Sequence, residues 1–322
     1  MATLGVVPSV PATGGDAATP RPAGEHDVNR KRLARLGWSF STPAFLVIGA
    51  FTIFPIGFSV AMSLSHVNVS GSGFSLNGFT GSNYSTLVHA PQWRYALGFT
   101  VVYTIVTVLV EVILGTCIAL VLERLTKGRG LMMALLLVPW SMITVISAEL
   151  WGYIYDASYG VLDQIFHAVG LGQPIFLGTP TPAIVAMMVA DIWKTTPFVA
   201  IIVLAGLVML PEELYEASEM DGASGWTTFW RVTFPLLRPT IALAVLFRVL
   251  QAFGLFDLPF VLTQGGPGYS TTSLAVLGYQ VMFQDLNFGP GAAVATSTAV
   301  LVLIGCLLFL KVFRAQVGEE GS

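Results

Sequence analysis

Ionisable side chains stand inside or beside long apolar runs of this chain: Glu111, Glu149, Asp191, Lys194, Arg248 and Asp257. A charge at the centre of a membrane-spanning helix costs on the order of 2.5–3.5 kcal/mol, so each requires a partner, a wet cavity or a function. In DIWKTTPFV, the residues Asp191, Lys194, Thr195 and Phe198 recur at i, i+3, i+4 and i+7 and so share one helical face. A carboxylate, an ammonium, a hydroxyl and an aromatic ring make a lining suited to a sugar, whose hydroxyls donate and accept and whose C–H faces stack on rings. Pro197 removes a backbone bond there, and irregular backbone at membrane depth is tolerated where it faces protein or a wet cavity. The alternative is that Asp191 and Lys194 pair with each other and only hold helices together. Farther on, Arg248, Gln251 and Leu255 of LFRVLQAFGLFDLPF fall at i, i+3 and i+7. Arg248 either meets sugar hydroxyls or neutralises Asp191, and the sequence leaves both open. Asp257 lies about 180° around an ideal helix from Arg248; beside Gly254 and Pro259 it reads equally as the cap of a broken helix end. Glu111 and Glu149 read as structural carboxylates, paired with hydroxyls or a neighbouring helix.

The elements that must carry these groups are membrane helices. Of 322 residues, 54% are hydrophobic and 10% charged, against about 25% charged in soluble domains. Apolar runs lie near 38–64, 95–122, 131–155, 182–209, 236–260 and 292–313, each with the roughly 20 residues needed to cross about 30 Å of hydrocarbon. The expectation is an all-α protein of six transmembrane helices over 37–314, with a disordered tail over 1–36, a short tail over 315–322 and a first run that acts as an uncleaved anchor. Lys and Arg cluster at 30–35, in the turn 123–130 and at Lys311 and Arg314, whereas 65–94, 156–181 and 261–289 hold only Arg94. This asymmetry predicts that both termini and the stretch after the fourth run are cytoplasmic. Cys117 and Cys306 lie in apolar runs and read as small apolar residues. All four His fall in the tail or the outer segments, so no metal site is expected. Trp140, Trp151, Tyr153 and Tyr155 read as an interfacial belt.

The stretch Pro211–Pro239, PEELYEASEMDGASGWTTFWRVTFPLLRP, is the long charged and amphipathic exception. Pro211 suits a first helical position, and Glu212, Glu213 and Glu216 fill the turn where the helix dipole favours anions. Gly222 ends that helix, and the small residues Ala217, Ser218, Gly222 and Ala223 permit close approach by another surface. A plain connector with an acidic helix is the other reading. No GxxxxGK[ST] occurs, so nucleotide hydrolysis is expected on another chain.

Glu216-Ala217-Ser218, then Gly222, then Val232, Phe234 and Pro235, resemble the EAA loop of the permease subunits of ABC importers. Ser218 stands where that pattern usually has Ala, and Val232 and Phe234 where it has Ile and Leu. The wider match through Asp221-Gly222-Ala223 and Pro235–Pro239 is similar to the carbohydrate-uptake branch, as are TQGGP at 263–267 and GPGAA at 289–293; the resemblance spans roughly Ala44 to the end. It implies that Glu216, Ala217, Ser218, Asp221, Gly222, Ala223 and Pro235 form a coupling helix and loop seated on a cytoplasmic ATPase. It further implies a bacterial cytoplasmic-membrane location, an ATPase dimer that binds ATP and Mg, a second homologous permease chain and an external sugar-binding protein or lipoprotein, with no cofactor, catalytic residue or nucleic acid for this chain. Permeases of the maltose type contact sugar from the helix before this loop and the helix after it. The resemblance thereby assigns substrate contacts to Asp191, Lys194, Thr195, Phe198, Arg248, Gln251, Leu255 and Asp257, with Gln251 the preferred contact on the later helix. Charges stand here where maltose permeases carry an amide and an aliphatic residue, so a different sugar is expected, and WKTTPF with LFR is similar to trehalose permeases. The competing expectations are a permease for glycerol-3-phosphate or a polyol, and an ion-coupled carrier with Glu111, Glu149 and Asp191 as its relay.

Overall fold

The computed structural model describes residues 23–70, 73–170, 172 and 174–319. It divides into two compact units, Met1–Gly57 and Phe58–Ser322. The first holds α1 (Ala23–Ile48), which runs into a π-helical turn at Gly49–Ile53, and the start of α2 (Phe54–Ser63), whose residues from Phe58 are assigned to the second. The tail expected over 1–36 is therefore helical from Ala23, while residues 1–22 lie outside the described residues. The correction has a simple cause: AGEHDVNRKRLAR is rich in good helix formers and extends the apolar helix backwards by propensity. Of the expected end segment, 320–322 likewise lie outside the description, and 315–319 continue the last helix.

In the second unit, β1 (Ser65–Ser70) and β2 (Gly73–Phe79) pair antiparallel, Ser65 opposite Phe79, with an irregularity after Ser65. This hairpin is a small addition to an otherwise helical chain, and Val67, Val69, Phe74 and Leu76 alternate with polar residues along its strands. Then come α3 (Ser82–His89), α4 (Pro91–Arg124), α5 (Arg129–Ser141), α6 (Thr144–Ile154), α7 (Val161–Ala168), α8 (Pro180–Val208), α9 (Glu213–Met220) and α10 (Gly225–Thr228). A π-helical turn at Phe229–Thr233 leads into α11 (Phe234–Phe253), followed by α12 (Asp257–Leu262), α13 (Leu274–Tyr279) and α14 (Phe288–Glu319).

Among the described residues, five helical stretches are long and apolar enough to cross a membrane: Arg35–Ser63, Pro91–Arg124, Pro180–Val208, Gly225–Leu262 and Phe288–Lys311. The remaining expected span, 131–155, is the pair α5 and α6, bent by 91°. It makes a sixth crossing only if the two halves are counted as one. Met142 and Ile143 are extended at the bend, two residues after Ser141 would have continued a helix that Pro139 has already weakened. Pro197 has the opposite outcome: α8 passes through it without interruption, so the irregular backbone expected there is absent.

The core of this unit is α4 packed along α8, with α11 against both. Gly115 permits the contact. A Cβ there would lie 2.8 Å from Val199 Cγ1 and 3.0 Å from the Ala200 backbone nitrogen, the small-residue approach that lets membrane helices pack by van der Waals contact. Around it Ala119, Leu122, Val199, Val203, Leu204, Leu207, Leu237 and Ala244 close the apolar core.

Candidate functional site

Toward the middle of α4, α8 and α11 the apolar packing gives way to a closed polar cluster. Arg248 of α11 is 2% exposed and Glu111 of α4 is fully buried. Arg248 Nε donates to Glu111 Oε2 at 2.5 Å and Nη2 to Glu111 Oε1 at 2.8 Å, the two-pronged geometry that a planar guanidinium offers a carboxylate. Nη2 also reaches Asp191 Oδ2 of α8 at 3.4 Å, and Nη1 donates to Gln251 Oε1 at 3.0 Å. Thr195 Oγ1 lies 2.7 Å from Glu111 Oε1 and 2.6 Å from the Asp191 carbonyl oxygen. Tyr103 Oη donates to Asp191 Oδ2 at 3.2 Å. Three helices thus meet through two carboxylates and one guanidinium, which offsets one of the two negative charges, while the hydroxyls of Tyr103 and Thr195 meet the carboxylate oxygens as well.

The expected sugar face is divided by this arrangement. Asp191, Thr195 and Arg248 are buried within the cluster, whereas Lys194, Phe198 and Leu255 are half-buried and Gln251 and Asp257 are exposed. Of the two roles open to Arg248, neutralising Asp191 is the one seen. The Asp191–Lys194 contact pair is not: Asp191 turns to Arg248 and Tyr103, and among the described residues Lys194 makes no ion pair, although the Asp191 and Asp257 carboxylates both act electrostatically on its ammonium. Phe198 stacks on Trp140 of α5 at 5.8 Å between centroids and meets Phe247 edge-on at 6.2 Å, so Trp140 belongs to this packing and not only to an interfacial belt. Asp257 is the first residue of α12, whose N-cap position is held by Phe256 without a side-chain hydrogen bond, and its charge suits that helix end. Glu149 is exposed on α6. Glu111, expected to pair with hydroxyls or a neighbouring helix, meets the Thr195 hydroxyl and Arg248 of α11, and Tyr103 is not among the residues the sequence singles out. The available signal was their spacing, since Tyr103, Thr107 and Glu111 stand at i, i+4 and i+8 on one face of an otherwise apolar helix.

At the other end of α11, the 211–239 stretch is also ordered by local chemistry. The helix α9 starts at Glu213, two residues after the expected Pro211. It ends in a Schellman cap: Gly222 N–H donates to Glu219 O and Ala223 N–H to Ser218 O, both at 3.0 Å, with Gly222 at φ +72°. Ser224 Oγ then accepts from Thr227 N–H at 3.3 Å and starts α10. Ser218 is buried, its hydroxyl on the Leu214 carbonyl at 2.8 Å, so it faces this chain and not a free surface. Glu216, Ala217, Asp221 and Gly222 are exposed, while Ala223 and Pro235 are half-buried. Met220 is 89% and Trp226 73% exposed. An 790 Å³ cavity between this stretch and the end of α4 is lined by Thr116, Cys117, Tyr215, Glu219, Trp226 and Trp230, among others. Trp226, Phe229, Trp230 and Phe234 form a run of ring contacts along the π-helical turn.

Residues 128–316 match the model of the family described as binding-protein-dependent transport system inner membrane component. The chain belongs to that family. As a binding-protein-dependent inner membrane component it is a multi-pass membrane protein and a permease subunit, not an enzyme in its own right. Among curated relatives of this family member, the trehalose/maltose transport system permease protein MalF of Thermococcus litoralis is 39% identical over 285 residues, covering 88% of this chain and 95% of that protein. The trehalose transport system permease protein SugA of Mycobacterium tuberculosis is 35% identical over 292 residues, covering 89% and 92%. In fold, the inner membrane component is similar to a chain of the crystal structure of a bacterial ABC transporter that imports the acidic polysaccharide alginate, with a TM-score of 0.76 at 22% identity, over 90% of this chain and 98% of that one.

Proposed function

We propose that this permease subunit forms half of the translocation pathway of an ATP-driven sugar importer, with a disaccharide of the trehalose type as cargo. The observation that carries the reading is the set of side chains left outside the buried charge cluster, Gln251 and Asp257 exposed and Lys194, Phe198 and Leu255 half-buried. Lys194 and Gln251 offer donors, Asp257 offers an acceptor, and Phe198 and Leu255 offer apolar surface, the mixture that a sugar's hydroxyls and C–H faces require. The trehalose-related names of relatives at 39% and 35% identity support the same cargo class. In this reading α9 and the loop to Pro235 are the coupling element, seated in the cytoplasm on an ATPase that binds ATP and Mg. Both termini are cytoplasmic, a second permease chain completes the pathway, and an external binding protein delivers the sugar. Closing of the ATPases moves α9, and the three-helix unit tied by Arg248 swings access from one side to the other.

The test is uptake of labelled trehalose by proteoliposomes containing the whole complex with its binding protein. Saturable uptake that needs enclosed ATP and withstands a protonophore is expected. Uptake that a protonophore abolishes and that ignores ATP would identify an ion-coupled carrier instead. ATP-driven uptake of glycerol-3-phosphate with none of trehalose would retain the machine and replace the cargo.

A further inference from the structure

Glu111 has no exposed surface, yet the direction of its hydrogen bonds extends to a residue that has. A guanidinium only donates. With Nε and Nη2 of Arg248 committed to the two oxygens of Glu111 at 2.5 and 2.8 Å, the plane of the guanidinium is fixed and Nη1 is directed at Gln251. The atom of Gln251 that meets Nη1, at 3.0 Å, must accept, so it is the amide oxygen. The amide nitrogen of this exposed side chain is then the end left free, and among the described residues it has no partner.

We propose that Glu111, acting through Arg248, is a positioning residue for cargo recognition. It holds the Gln251 carboxamide with its oxygen inward and its two N–H groups outward, as a fixed donor pair for a hydroxyl or ring oxygen of the sugar. A free glutamine presents either end to solvent, and its two orientations would serve different hydroxyl patterns; the buried carboxylate removes that choice before cargo arrives. Thr195 and Asp191 complete the support, the first on Glu111 Oε1 at 2.7 Å and the second on Arg248 Nη2 at 3.4 Å. The inference rests on the proposed role of Gln251 as a sugar contact.

The experiment is equilibrium binding of labelled trehalose to the assembled membrane complex, purified without its binding protein. Gln251→Ala is expected to raise Kd about tenfold, the loss of one well-placed hydrogen bond. Gln251→Glu, which keeps an acceptor for Arg248 but replaces the outward amide nitrogen by a second acceptor, is expected to raise it at least as much. Glu111→Gln should weaken binding in the native background and add nothing in the Gln251→Ala background, a non-additivity that a general packing role would not produce. If Gln251→Ala binds as the native chain does, the sugar face and this inference both fall. If Gln251→Ala weakens binding but Gln251→Glu does not, or if Glu111→Gln multiplies fully onto Gln251→Ala, the positioning role alone is overturned. Should Glu111→Gln fail to assemble, the comparison of the two Gln251 variants decides.

Discussion

Arg248 joins α4, α8 and α11 at one atom group, so its removal should cost more than the contacts it makes. Arg248→Met strands the Glu111 and Asp191 carboxylates in a dry interior, and breaking a buried pair from one side typically costs about 3–5 kcal/mol. A large fall in the melting temperature of the purified chain is expected, read by thermal scanning in detergent. Adding Glu111→Leu and Asp191→Leu to Arg248→Met should recover much of that loss, because the uncompensated charges go with it. The spacing of Asp191, Thr195, Arg248 and Gln251 made one half of this cluster legible in the sequence. The other half was not, because Glu111 lies 137 residues from Arg248 along the chain, and a carboxylate on an apolar helix shows no sign of which helix will face it.

Pro139 and Pro197 illustrate why element-level reading was only partly successful. Both are helical prolines in apolar runs, and sequence alone gives them the same meaning. Yet α5 has no buried residue, and its run bends by 91°, whereas Pro197 is itself buried in a continuous helix that packs on α4, α11 and α5. Packing, not the proline, decides. The end of α9 was legible, since a glycine after an acidic helix announces a left-handed cap. Gly222→Val places a β-branched residue at φ +72°, which costs on the order of 1–3 kcal/mol and should melt the last turn of α9. Among the described residues no atom lies within 4 Å of a Cβ at that position, so insertion and folding should survive. Sugar-stimulated ATP hydrolysis by the complex is expected to drop severalfold, and Glu216→Lys should do the same by reversing the charge of the exposed face. Normal coupling in both variants would remove α9 from the coupling role.

The whole molecule reads as spans separated by charge-sorted segments, and its orientation is open to direct measurement. Single cysteines at Ser158 and at Glu212, in a background with Cys117 and Cys306 replaced by Ala, should react with a membrane-impermeant maleimide from opposite sides of the membrane. Labelling of both from one side would reverse the reading of the basic residues. Purified alone, the chain should hydrolyse no ATP; robust turnover would place a nucleotide site where the sequence has none. The apolar runs were legible at this scale because about 20 apolar residues in a row have few other uses. Their mutual packing was not, being set by points such as Gly115 against Val199 that only three dimensions bring together. The π-helical turn at Phe229–Thr233 has one more consequence. From Gly225 to Arg248 the chain is one uninterrupted helical rod, about 35 Å long at 1.5 Å per residue. Such a rod behaves as a driveshaft as well as a strut. The wide turn amounts to one extra residue let into an ordinary helix, so it sets the angular phase between Trp226 at the start of the rod and the guanidinium of Arg248 near its far end. Deleting Val232 would twist one end against the other by about 100°, and with every contact residue still present, the two ends would no longer engage in time.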